Sequence, residues 1–290
     1  MNTSTFSHPT KPLAIITGGR VGLGFETAKL FLAQGLNVVI TGRSTTGVNA
    51  AVMQLRALHP SMEVSGFALQ LGDLEAVRAA VTANLGLLKG WTHLVTNAGA
   101  KIEKPYKLTT QGYEWHFGVN HLAHHLLTSL LLPVAGVAEP RVTAVASIVA
   151  RHGHPQLWGS LDPHLRTGQL YSSSKLANLA WALELPKHAL VSATAAHPGY
   201  ARAEPYGNRL VRLGEMLFAQ SAAAGAKSLA AAVTAPNGSY LGPAIGGFWG
   251  APAKAKVPSM LNARNQDELW TLSNRLTGAV WPNLSQRETL

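Results

Sequence analysis

The chain has 290 residues, 47% of them hydrophobic and 13% charged, and contains no cysteine. That composition excludes a disordered or coiled-coil protein, a disulfide scaffold, a thiolate nucleophile and a Cys-ligated metal. The formal charge of +10 comes from scattered Lys and Arg with no dense run and no interleaved aromatics, so it argues against nucleic-acid binding and for a basic surface that favours an anionic cofactor.

Residues 1–11 read as a flexible N-terminal segment: MNTSTFSHPT is polar and lacks the basic-then-apolar order of a secretory signal. No apolar run reaches the roughly 18 residues of a membrane span, so a soluble, cytoplasmic protein is expected. From residue 12 to 290, short apolar runs alternate with amphipathic stretches. Strands are predicted at 13–17, 37–41, 64–69, 93–96, 141–146, 191–195 and 245–249. Helices are predicted between them at 22–34, 49–58, 74–88, 110–132, 171–185 and 222–233, with an end or kink near Leu185 because Pro186 lacks an amide. Strands alternating with helices imply right-handed crossovers and an α/β fold. The expectation is a single Rossmann domain, a doubly wound, mostly parallel seven-stranded sheet with helices on both faces. Two irregular stretches, about 151–168 and 199–221, follow strand ends, where ligands bind in open α/β sheets, and read as substrate loops.

The first strand runs into Thr17-Gly18-Gly19-Arg20-Val21-Gly22-Leu23-Gly24 and then directly into a helix. Glycines in such a turn let the backbone approach a pyrophosphate, which sits on the helix N-terminus; a tight turn alone would also use them. The second strand ends Thr41-Gly42-Arg43-Ser44. There is no carboxylate there for the ribose diol of NAD, whereas Arg43, with Arg20, suits the 2′-phosphate of NADP(H). The alternative is that both arginines are ordinary surface charges.

Asn120, Ser147, Tyr171 and Lys175 then follow in order. Tyr171 and Lys175, four apart on a helix, share a face. A nearby ammonium favours a phenolate and lowers a tyrosine pKa from its usual value near 10. Ser147 ends an apolar strand that would carry its hydroxyl into the cofactor crevice.

With these residues the chain resembles the short-chain dehydrogenase/reductase family from about Pro12 to Trp281. The glycine turn matches TGxxxGxG. The resemblance implies that Asp73, in Leu71-Gly72-Asp73-Leu74, contacts the adenine, that Asn97-Ala98-Gly99 supports the central sheet, and that His197-Pro198-Gly199 closes over the nicotinamide. It implies a catalytic tetrad of Asn120, Ser147, Tyr171 and Lys175. Tyr171 would donate the proton, Ser147 would bind the carbonyl oxygen, Lys175 would hold the nicotinamide ribose, and Asn120 would anchor a water that relays protons. Val119–His125, Ser174–Asn178 and Leu269–Ser273 resemble the retinol dehydrogenase and protochlorophyllide reductase branch, although the latter enzyme uses cysteines.

Some positions depart from the pattern. Ala146 replaces the first of a common Ser-Ser pair, Val21 a frequent Ser or Thr, and Ala203 a Thr that binds the nicotinamide carboxamide. His121 and His125 could hold a metal by spacing, but the resemblance explains a histidine after Asn120, and no metal is expected. His152 and His154 are left open as pocket residues. Trp158, Tyr200, Tyr206, Leu210, Met216 and Phe218 suggest an apolar pocket, hence a lipophilic carbonyl or alcohol substrate; a homo-oligomer is compatible with all of this. The rival readings are a catalytically silent NADP-binding regulator, which would tend to lose the tyrosine, and a cofactor-free lyase or dehalogenase, which would lose the glycine turn.

Overall fold

A computed structural model describes residues 11–101, 105–199 and 221–282. Its strands are β1 (Leu13–Ile16), β2 (Asn37–Gly42), β3 (Val64–Ala68), β4 (Trp91–Thr96), β5 (Arg141–Val145), β6 (Ser192–Ala196), β7 (Tyr240–Ile245) and β8 (Trp249–Lys254). They form one sheet in the order β3-β2-β1-β4-β5-β6-β7-β8. All neighbours pair in parallel except β7 and β8, which are antiparallel. The chain reverses its direction of winding between β3 and β4, and so places a crevice beyond the C-terminal ends of β1 and β4.

Helices cover both faces, which is why the central strands are mostly buried. In β1, Ala14 and Ile16 point to one face and Ile15 to the other, following the two-residue period of a strand. The first face carries α1 (Gly22–Ala33), α2 (Thr45–Leu58) and α8 (Ala222–Thr234), packed through Phe31, Leu55 and Leu229. The second carries α3 (Leu74–Ala83), the short α4 (Leu85–Leu88) and α5 (Trp115–Phe117), and α6 (Ala123–Leu131), α7 (Thr167–Glu184) and α9 (Ala263–Thr277). Val77, Leu126, Leu176 and Trp270 bury there in one continuous core.

The sheet has eight strands where seven were expected. The apolar run predicted as one strand at 245–249 is instead the tip of the β7–β8 hairpin: Gly246 and Gly247 take φ of 59° and 78°, and Ile245 is 65% exposed. Pro243 faces Pro252 across that hairpin, so both lack an amide where the ladder would use one. The predicted helix at 110–132 starts later, at Trp115, and a π-helical turn at Gly118–Leu122 interrupts it before α6. The stretch 74–88 divides at Asn84 into α3 and α4. Helix α2 starts at Thr45 rather than 49, its N-terminus capped by Ser44 Oγ, which accepts from the Gly47 amide at 3.3 Å. Helix α7 ends at Glu184 and tightens into a 3-10 turn over Leu185–Lys187, the stop that Pro186 dictates. No helix among the described residues is long and apolar enough to cross a membrane.

Candidate active site

The glycine turn joins β1 to α1 in the geometry its composition demands. Gly18 and Gly22 have φ of 68° and 59°, the left-handed region that glycine enters without steric cost. Gly24 meets a different constraint: a Cβ there would run into the Gly18 carbonyl, so α1 can start this close to the turn only with glycine. A Cβ on Gly22 would meet nothing within 4 Å, so the backbone at that point faces open space. No side chain caps the α1 N-terminus and its first turn, with Leu23 half-buried in it, holds no acidic residue. Its positive end is therefore available to a phosphate.

Neighbouring segments brace the turn. Gly19 donates to Thr41 O at 2.9 Å, tying it to the end of β2. Asn97 Nδ2 donates to Thr17 O at 2.8 Å and to Gly18 O at 3.3 Å, and the Ala98 amide donates to Thr17 Oγ1 at 2.9 Å. The 97–99 segment thus supports the glycine turn as well as the sheet. Half-buried Arg20 reaches across to the end of β2: a Cβ on Gly47 would lie 2.5 Å from Arg20 Cδ, and one on Gly42 3.5 Å from Arg20 Cβ. Exposed Arg43 follows directly. Arg20 and Arg43 therefore both stand at the end of β2. Asp73 caps α3, accepting from the Glu75 and Ala76 amides at 3.0 and 3.3 Å and from Gln111 Nε2 at 2.8 Å. These bonds, the Gln111 one foremost, hold its carboxyl below the usual range. Buried Leu74 follows it, its amide donating to Gln111 Oε1 at 3.1 Å.

Asn120, Ser147, Tyr171 and Lys175 converge beside this turn. The Tyr171 phenol lies near enough to the Ser147 side chain, carried at the end of β5, for that hydroxyl to act on its titration. Buried Lys175, one turn further along α7, donates its Nζ to Val145 O at 3.0 Å. A Cβ on Gly99 would fall 2.8 Å from Asn120 Oδ1 and 3.4 Å from Lys175 Nζ, so both side chains close around that glycine. Asn120 sits in the π-helical turn, a distortion that often marks functional sites. Its Oδ1 accepts from the Ala100 amide at 2.6 Å, and its Nδ2 donates to Ser174 Oγ at 2.9 Å and to Ala100 O at 3.2 Å. Asn120 is therefore a clasp between the 97–100 segment and α7. Burial pushes the Tyr171 phenol up and the Ser147 hydroxyl opposes it, while burial brings the Lys175 ammonium down to about 8. The expected lowering of the tyrosine by the lysine is not among the influences on Tyr171, whose direction is set by burial.

Sequence reasoning missed Glu114 and His116. His116 stands edge-on to the Tyr171 ring, centroids 6.0 Å apart, with Nδ1 2.6 Å from buried Glu114 Oε1 and Nε2 2.8 Å from Lys101 O. No motif announces this pair; only the turn that Glu114 caps brings it to the tyrosine. The histidines that drew notice hold the fold together: His121 Nε2 lies 2.7 Å from Ser273 Oγ and His125 Nε2 2.8 Å from Asn274 Oδ1. His152 and His154 are exposed, and Trp158 donates to Ser173 O at 2.9 Å while packing on the core. Half-buried Pro198 and Gly199, the latter at φ 71°, follow β6. Tyr200, Ala203, Tyr206, Leu210, Met216 and Phe218, most of the second loop and residues 1–10 lie outside the described residues.

A mostly parallel sheet carries a glycine turn after β1 and a Ser–Tyr–Lys cluster after β5, and comparison gives the class of this arrangement a name. Residues 12–208 match the short chain dehydrogenase family model. The chain belongs to that family, whose members use a nicotinamide cofactor, and it is an oxidoreductase acting on CH–OH or C=O groups. Within the family it falls in the retinol dehydrogenase-like branch. It is 32% identical over 284 residues to human retinol dehydrogenase 12, covering 93% of this chain and 87% of that one. It is 34% identical to mouse retinol dehydrogenase 11 over 209 residues, 70% of this chain and 65% of the other. Among solved structures, an uncharacterized protein from Mycobacterium paratuberculosis superposes with a TM-score of 0.75 at 29% identity, covering 93% of this chain and 95% of that one.

Proposed function

We propose that this chain is an NADP(H)-dependent oxidoreductase that reduces a carbonyl, or oxidises the corresponding alcohol, with Tyr171 as proton donor and acceptor. The observation that carries the reading is the closure of Asn120 and Lys175 around Gly99, beside the braced glycine turn, with Tyr171 near Ser147. When bound, the nicotinamide supplies or takes the hydride, so that carbonyl, NADPH and one proton become alcohol and NADP⁺. Gly18, Gly22, Leu23 and Gly24 would cradle the pyrophosphate, and Asp73 with Leu74 would border the adenine. Asn97, Ala98 and Gly99 would back the cofactor, and Pro198 with Gly199 would border the nicotinamide.

Tyr171 gives its phenolic proton to the carbonyl oxygen. Its raised pKa keeps that proton in place at neutral pH, which favours reduction. Ser147 orients the same oxygen, and Lys175 holds the ribose through N–H donors beyond the one directed at Val145. Asn120 positions α7 against the 97–100 segment. The substrate is a small molecule; a lipophilic carbonyl or alcohol accords with the retinol dehydrogenase-like relatives.

Arg20 and Arg43 at the end of β2 favour the phosphorylated cofactor, since a charge-assisted contact is worth about 1.5–3 kcal/mol. The wild type should prefer NADPH to NADH by at least about tenfold in kcat/KM. Gly42→Asp with Arg43→Ala should reverse the order by placing a carboxylate against the 2′-phosphate. A Cβ at Gly42 stands 3.0 Å from Val48 Cγ2, a contact a small valine shift relieves. Steady-state kinetics with both cofactors is the test; equal use of NADH by the wild type would remove the NADP assignment.

A further inference from the structure

A cavity of about 470 Å³ opens beside the C-terminal ends of β6 and β7 and the end of β8. Glycines build it. A Cβ on Gly242 would collide with the His197 ring, and one on Gly247 would lie 3.0 Å from Ile148 Cδ1, so the hairpin can lie against those side chains only without its own. Three cations line the space, Arg151 from the turn after Ser147 and Lys254 and Lys256 from β8 and its continuation, and among the described residues no carboxylate does. None of the three takes part in an ion pair among the described residues. Ile148 and Met260 give the same cavity an apolar wall.

Strand order separates this charge from the phosphate turn. β7 stands four strands from β1, about 19 Å at the usual strand spacing. The cations are therefore not a second anchor for the pyrophosphate. They are close to the reacting end: Ile148 directly follows Ser147, and Tyr240, also in the lining, donates its hydroxyl to Ser147 O at 3.3 Å. β5, which carries Ser147, and β7 are two strands apart, about 10 Å.

We propose that Lys254, Lys256 and Arg151 bind an anionic group of the substrate, so that the reacting molecule is an aldehyde, ketone or alcohol joined by an apolar spacer of up to about 10 Å to a terminal carboxylate. The inference rests on the oxidoreductase reading and narrows its substrate class. Lysine presents a compact ammonium that accepts a carboxylate in many orientations, which suits a flexible spacer.

The test compares 6-oxohexanoate with its methyl ester, matched in carbonyl and length but not in charge. The oxo acid should be reduced with a kcat/KM at least about tenfold higher, the equivalent of one charge-assisted contact. Lys254→Met with Lys256→Met, both exposed positions, should erase that preference by raising KM for the acid while leaving kcat and ester turnover unchanged. Added salt should raise KM for the acid and not for the ester. Calorimetry with 6-hydroxyhexanoate and no cofactor gives a readout apart from turnover: binding to the wild type, and at least tenfold weaker binding to the double variant. Equal turnover of acid and ester, with the lysine substitutions neutral, overturns the anion site and leaves the oxidoreductase intact. Absence of any carbonyl turnover, with lysine-dependent binding of the hydroxy acid, upholds the anion site and overturns the reaction.

Discussion

Tyr171→Phe should lower turnover by about two to four orders of magnitude, the contribution typical of a positioned general acid. The substitution removes one oxygen from a half-buried ring and leaves the glycine turn, Arg20 and Lys175 as they are. NADPH affinity, measured by fluorescence titration, should therefore change less than threefold. The ring itself should stay in place, because its edge-on contact with His116 does not involve the hydroxyl. Circular dichroism should show an unchanged fold, which separates loss of chemistry from loss of structure. A variant that keeps more than about a tenth of the wild-type kcat would end the assignment of Tyr171 as proton donor. Burial also sets a direction for the pH profile. With the phenol raised above its ordinary value, reduction should hold its rate through neutral pH and fall only in alkali, whereas alcohol oxidation should rise with pH.

The parts of this site legible in the sequence are those fixed by local chemistry. Gly18, Gly22 and Gly24 announce a turn no other residues can make, and Tyr171 with Lys175 share a helix face by spacing alone. The first six strands are short, largely buried runs between helical stretches and are equally plain. What escaped depends on contacts distant in the chain. The hairpin of β7 and β8 carries prolines at paired positions, and its most apolar residues sit at an exposed tip, so its pattern contradicts its structure. Helix α9 is held by Tyr113 and His121, whose bonds to Leu276 O and Ser273 Oγ cross more than 150 residues of chain. The π-helical turn at Asn120 has no specific local signal: Gly118, Val119 and Asn120 are weak helix formers, but weak propensity does not specify a wider turn. His116 reaches Tyr171 only through a turn that Glu114 closes. A pattern of periods sees none of these.

The buried histidines make a second large effect expected, loss of stability just below neutral pH. His121, His124 and His125 are each at most 1% exposed, and their hydrogen bonds fix one neutral tautomer apiece. Asn120 O can only accept, so His124 Nδ1, 3.0 Å away, donates and its Nε2 takes the Thr17 hydroxyl at 2.9 Å. Ser273 gives its hydrogen to Leu269 O, so His121 donates from Nε2 to Ser273 Oγ. Asn274 Oδ1 accepts from Trp281 and from His125 Nε2 alike. The Nδ1 atoms of His121 and His125 are buried without a hydrogen-bond partner among the described residues, so a proton added there would create an unpaired buried N–H on a cation. Burial accordingly brings His124 and His125 down to about 4 and moves His121 the same way; His93 and His197, also at about 4, act in the same sense. Folded values below the unfolded one, near 6.5, mean that the unfolded chain binds more protons between them. The stability is thus complete above about pH 6.5 and is lost as pH falls toward 4. At pH 5, His124 and His125 alone account for about 2 kcal/mol each relative to neutrality. A chain of this size should then lose on the order of 10 °C in Tm between pH 7.5 and 5, above the range where most carboxylates titrate. Thermal unfolding followed by circular dichroism measures the loss, and histidine Cε1–H resonances measured by NMR assign it. The three helical histidines should show no titration down to pH 5. A flat Tm over that interval, or resonances that titrate near 6.5, would place these rings in contact with solvent and contradict their burial.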